Sequence, residues 1–187
     1  LEQKKWLIIG EKNLDQCWMY RVRQKKTYLE GLGYEVRCID QEELQTWSFT
    51  HNFIWADSII FCRLAAQYPI LRAMSFAKHC GKKTYAEIDY LIFTSDFPAE
   101  YETYGGTISP DLYKSLCVDY PLRLEVLNAC NEVIVSTNAL ADHCKNALDD
   151  KAKPIHILPN LPVHELEIMA SKLPKINKSK RRQRSLK

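Results

Sequence analysis

Five places in this chain hold residue types that can do chemistry: Gly10-Glu-Lys-Asn13, Arg21, Arg63, Glu87-Ile-Asp89, and Ser136 with Asn160. In an extended strand Glu87 and Asp89 project from one face, with Ile88 on the other. Two carboxylates so placed can bind sugar hydroxyls, act as a base or hold a metal. The plainer alternatives are rising polarity at a strand end, or a pairing of one carboxylate with Arg63. Gly10 follows an apolar run and permits a tight turn and close approach of a ligand to backbone N–H groups. Neither a Gly-x-Gly-x-x-Gly motif nor a Walker lysine motif accompanies it. Arg21 falls early on a predicted helix, near the positive end of the helix dipole, where an arginine is unhelpful unless it meets an anion. An exposed helix arginine is the alternative. His79-Cys80 and His143-Cys144 are sequence neighbours on predicted helices, so neither pair can aim at one metal ion. No metal site is expected.

These residues gain meaning from the elements that carry them. Trp6-Leu-Ile-Ile-Gly10 is a short continuous apolar run, as expected of a strand buried on both faces. Strands are also predicted at 34–39, 57–63, 83–89, 132–135 and 155–158. Apolar spacing predicts helices over 15–31, with Asp15 as N-cap and Gly31 or Gly33 as terminator, and over 68–80, stopped by Gly81. Further helices are predicted over 110–118, 121–131, 138–148 and 163–173. Strand–helix alternation with Gly-marked turns specifies right-handed crossovers on a doubly wound, mainly parallel α/β sheet of Rossmann-like type. Such a sheet places its ligand site beyond the carboxyl ends of its strands, where all five places fall. The segment 91–109 breaks the rhythm with Pro98, Gly105, Gly106 and four aromatics, including Tyr101 and Tyr104. It reads as a long loop, and long loops in compact domains are more often functional than idle.

Composition narrows the class. The 187 residues are 46% hydrophobic and 26% charged, ordinary for a soluble globular domain, and no apolar run is long enough to span a bilayer. A start at Leu1, without Met or signal peptide, is expected of an excised or processed piece. Of 26 basic residues seven lie between 175 and 187, where there are no acids; setting them aside leaves 19 basic against 23 acidic, a net charge of −4. The body therefore gives no case for a nucleic-acid surface, and 175–187 reads as a basic linker or disordered tail after a 1–174 domain. Seven cysteines, scattered singly and without Cys-x-x-Cys, read as reduced thiols of a cytosolic protein.

Several segments resemble the N-terminal half of a GT-B type glycosyltransferase of the large group-1 class, family four. Tyr20-Arg21-Val22 matches a "YR-V" element, Ala56-Asp-Ser-Ile-Ile-Phe-Cys-Arg63 an "aDvvvfqR" strand, and Gly81–Phe93 echoes "gKkvvyDiDDllf". Val133–Leu140 and Ile155–Asn160 are similar to "vivsSe.La..l" and "v.viPN". The likeness runs from about residue 5 to 165, through motif order more than any single motif. It departs at Glu87 and Tyr90, which stand in the "DiDD" pattern, and at the first loop, reduced to Gly10.

The resemblance implies an acceptor-binding domain that is inactive alone. Its partner would be a C-terminal nucleotide-sugar-binding domain with a Glu-x7-Glu element, and the nucleotide-sugar donor would be a co-substrate, with no tightly bound cofactor. The acceptor would be a glycan, lipid-linked or protein hydroxyl, in bacterial polysaccharide biosynthesis. Gly10, Arg21, Arg63, Ser136 and Asn160 are then expected to line the cleft, Tyr101, Tyr104, Gly105 and Gly106 to meet the acceptor sugar, and Glu87 and Asp89 to be the catalytic candidates. A cytoplasmic location is expected, with peripheral contact of the basic tail at the inner membrane face. The alternative is a non-enzymatic flavodoxin-like binding or interaction module. A receiver domain is disfavoured, because Gly10-Glu11 and Arg63 stand where it needs acids.

Overall fold

The computed structural model describes residues 4–159. Its single sheet has six strands, β1 (Lys5–Gly10), β2 (Glu35–Asp40), β3 (Ser58–Cys62), β4 (Lys83–Ile88), β5 (Glu132–Val135) and β6 (Ile155–Ile157). They are ordered β2-β1-β3-β4-β5-β6, and every neighbouring pair is parallel. The sheet is doubly wound as expected. The chain leaves β1 in one direction to β2 and then returns past it to β3. The topological switch point, where open α/β sheets leave a crevice, lies between β1 and β3.

Strands β1 and β3 are hydrophobic because both of their faces are covered. Leu7, Ile9, Ile59, Phe61, Ala86, Ile88, Val133 and Val135 join one core beneath α3 (Thr50–Trp55), α4 (Tyr68–His79), α5 (Pro110–Ala129) and α6 (Asn138–Ala147). Ile8, Ile60, Cys62 and Ile134 point the other way, toward Trp18, Val22 and Leu29 of the first crossover. That crossover is helical from Asp15 to Gly31, built from α1 (Asp15–Cys17), a π-helical segment Trp18–Arg23, and α2 (Gln24–Gly31).

Three expectations are corrected. Asp15 is not the N-cap: Leu14 precedes the helix with no side-chain cap, and Asp15 instead puts its charge in the first turn, where the dipole favours it. The helices predicted over 110–118 and 121–131 are one helix, α5, with Pro121 inside it. Proline removes one rung, yet the helix is held beyond it by buried Val126 and Leu127, and Leu122 O accepts from Ala66 N–H at 2.9 Å. Residues 41–55, for which no element is predicted, form two 3-10 turns and α3. Asp40 starts them with a capping box, accepting from Glu42 N–H while Asp40 N–H donates to the Glu43 carboxylate. Gly33, with φ at 87°, supplies the left-handed residue that ends the first helix. The helix expected over 163–173 and the tail lie outside the described residues.

Candidate functional site

At the carboxyl ends of β1, β3 and β4 the structure buries a network of charges. The π segment begins it. Such segments insert an extra residue into a helical turn and recur at functional sites. This one turns Arg21 and Val22 inward, and Arg21 is only 2% exposed. Gly10 makes room for it: a Cβ there would stand 2.7 Å from Val22 Cγ2 and 3.7 Å from the Trp18 ring. The space that a glycine leaves for a ligand is filled here by the helix itself.

Arg21 Nη2 donates to Glu87 Oε1, and Lys25 Nζ lies 3.1 Å from the same oxygen. Lys25 Nζ also donates to Arg21 O at 2.8 Å, which ties the two cations one helical turn apart. Arg21 Nε stands 3.8 Å from Asp89 Oδ2, and Arg63 Nη1 donates to Asp89 Oδ1 at 2.7 Å. Arg63 N–H donates to the Glu87 carbonyl at 2.8 Å, and the Ser136 hydroxyl donates to the Asp89 carbonyl at 3.4 Å. Four of the predicted places, Arg21, Arg63, Glu87-Ile-Asp89 and Ser136, are thus joined, with Gly10 packed directly beneath. Asn160 lies outside the described residues.

Burial separates the two carboxylates. The Glu87 side chain is fully enclosed, so it holds Arg21 and Lys25 and cannot touch a ligand without rearrangement. Asp89 is 14% exposed and Arg63 23%, so these two form the accessible end of the network. The anion that Arg21 needs near its helix start is supplied by Glu87. Burial lowers the Arg21 pKa and pushes Lys25 down to about 8, because enclosure disfavours their charged forms. Burial also raises the Cys62 thiol, which keeps its proton and lies 3.7 Å from Arg21 O. Arg63 holds φ at 56°, a left-handed conformation that a residue with a Cβ rarely adopts and that recurs where ligands are clamped.

Two members were missed in the sequence. Lys25 was legible in principle, four residues after Arg21 and so on the same helix face. Arg123 was not, since only the fold brings α5 over the β3–α4 connection. Its Nη2 donates to Asp119 Oδ2 at 3.3 Å, while Nε and Nη1 are buried without a hydrogen-bond partner among the described residues. Burial lowers its pKa; Asp119 opposes that shift, and the like charge of Arg63 adds to it.

The long loop behaves differently. Tyr101 and Tyr104 sit on a 3-10 turn with their rings 5.2 and 6.1 Å from that of Tyr113 on α5. Tyr101 donates to Ile108 O at 3.3 Å, and Tyr104 Oη accepts from Ala99 N–H at 3.2 Å. Gly105 and Gly106, with φ at 54° and 77°, turn the chain after it. These residues visibly hold the loop onto α5. Among the described residues no group of three or more metal-ligating side chains converges, and no helix is long and apolar enough to cross a membrane.

The chain matches no family model and no curated protein sequence.

Proposed function

We propose that this chain is the acceptor-side domain of a GT-B type glycosyltransferase, which positions an acceptor hydroxyl for sugar transfer from a nucleotide-sugar held by a second domain. One observation carries the proposal: Arg21, Arg63, Glu87-Ile-Asp89 and Ser136, from four separated motif segments, are joined at the carboxyl ends of a parallel sheet, beside its switch point. Asp89 is the residue that accepts a hydrogen bond from the acceptor hydroxyl. Arg63 orients Asp89, and Glu87 holds Arg21 and Lys25 behind it. The contribution is alignment of a nucleophile, which removes entropy from the reaction, while stabilising the departing diphosphate falls to the other domain.

The second reading is a non-enzymatic flavodoxin-like ligand-binding module. Strand order favours it, since β2-β1-β3-β4-β5 is the flavodoxin arrangement with one strand added. Calorimetry on the 187-residue chain separates the two. The acceptor-side proposal expects retention on an immobilised glycan panel and no tight binding of UDP-glucose, GDP-mannose or FMN. Micromolar binding of either nucleotide-sugar would overturn it, and micromolar binding of FMN would establish the flavodoxin-like reading instead.

A further inference from the structure

Arg63 and Arg123 come from different elements, the end of β3 and α5, which a backbone hydrogen bond brings together. The Ala66 N–H to Leu122 O hydrogen bond, 2.9 Å, fixes α5 against the connection that follows Arg63. The like charge of Arg63 opposes the charged form of Arg123. Among the described residues each pairs with one carboxylate, Asp89 for Arg63 and Asp119 for Arg123, and they share none. Glu11, beyond the end of β1, acts on Arg123 more weakly than Asp119 and makes no hydrogen bond to it. A guanidinium stays protonated in a protein, so it does not relieve such repulsion by becoming neutral. Arg123 leaves Nε and Nη1 without partners, and buried unpaired donors call for an explanation. Arg63, in addition, is held in a strained backbone conformation at the accessible edge.

We propose that the crevice takes a ligand bearing an oxyanion, a phosphate or a carboxylate, which docks between Arg63 and Arg123 and draws the Arg123 side chain toward it. The inference rests on the acceptor-side reading of the crevice and deepens it: the acceptor is an anionic sugar or sugar phosphate rather than a neutral glycan. Arginine is suited to both oxyanions through planar, charge-assisted hydrogen bonds.

The test is calorimetry on the 187-residue chain with inorganic phosphate, glucose 1-phosphate, glucuronate and glucose, with Arg63→Gln, Arg123→Gln and the distant control Lys78→Gln. Glucose 1-phosphate is expected to bind at least about ten-fold more tightly than glucose, and either arginine substitution to weaken it roughly ten-fold, the loss of one charged hydrogen bond. Lys78→Gln should leave it unchanged. Glucuronate binding above glucose 1-phosphate identifies a carboxylate ligand, and the reverse a phosphate. If Arg123→Gln does not fold, the more exposed Arg63→Gln decides alone. Binding of glucose as tight as that of both glucose 1-phosphate and glucuronate, or full affinity in the arginine variants, overturns the inference. A chain that binds neutral glycans at the crevice but ignores all three anions sinks the oxyanion inference and leaves the acceptor-side reading standing. Tight nucleotide-sugar binding does the opposite when the same variants weaken it.

Discussion

The two ends of this sheet carry similar charges in different surroundings. At the amino ends, a groove of about 940 Å³ runs between α4 and α5, bordered by Leu71, Met74, Lys78, Lys82, Asn128 and Asn131. Beside it Lys83 and His156 each lie 2.6 Å from Glu132, with Lys83 and His156 half exposed. At the carboxyl ends the cations are enclosed, share a carboxylate and support a strained arginine. This groove has ordinary surface chemistry. Concavity points to the amino end; burial of charge and strand direction point to the carboxyl end.

The comparison can be broken by removing one carboxylate from each end. Glu87→Ala strands Arg21 and Lys25 in the interior and is expected to cost about 3–5 kcal/mol in urea unfolding. Glu132→Gln should move the urea midpoint far less, since its partners Lys83 and His156 are half exposed and their charges are solvated and screened. Equal effects would erase the distinction between the ends.

Gly10→Ala tests how the π segment is seated. The new methyl meets Val22 Cγ2, so a loss of about 1–3 kcal/mol is expected, with partial recovery in Gly10→Ala/Val22→Ala. Recovery absent from the double variant would mean that Gly10 serves something other than this contact.

Lys25 sharpens the comparison through pH. Unfolded, it keeps its proton to about 10.5; folded, it releases it near 8. Between those values the unfolded chain binds more protons, so stability rises with pH from 8 to 10.5 and is lost as pH falls through 8. The slope is at most about 1.4 kcal/mol per pH unit. Lys25→Met should flatten it, and a Lys25→Met curve parallel to the parent would show that Lys25 is not the titrating group.

The smallest effect concerns Arg63. Both Arg63→Gly and Arg63→Ala lose the pair with Asp89, but only glycine relaxes φ at 56°, so the glycine variant should be more stable by about 1 kcal/mol. Equal stabilities would remove the case for strain.

Much of this arrangement was legible in the sequence, and the remainder has identifiable causes. Continuous apolar runs such as Trp6–Ile9 and Ile59–Cys62 disclose buried parallel strands because both faces of such a strand are covered and the runs, closed by polar or Gly positions, are too short for a helix. Asp89, Arg63 and Ser136 could be placed because strand ends follow from strand runs. Arg21 stood out by its poor fit to the helix dipole. Residues 41–55 were hidden because short 3-10 turns lack a long periodicity and depend on local caps such as Asp40 and Thr46. Pro121 suggested a break that packing overrides. Arg123 gave no signal, since its place depends on α5 meeting the β3–α4 connection. Gly10 was found for the wrong reason: its missing side chain admits Val22.

Amide chemical-shift mapping of the 187-residue chain with glucose 1-phosphate tests most directly which end of the sheet is functional. Shifts concentrated at Gly10, Arg63, Asp89, Arg123 and Ser136 are predicted. Shifts concentrated instead at Lys78, Asn128 and Asn131, with the carboxyl end silent, would contradict the account.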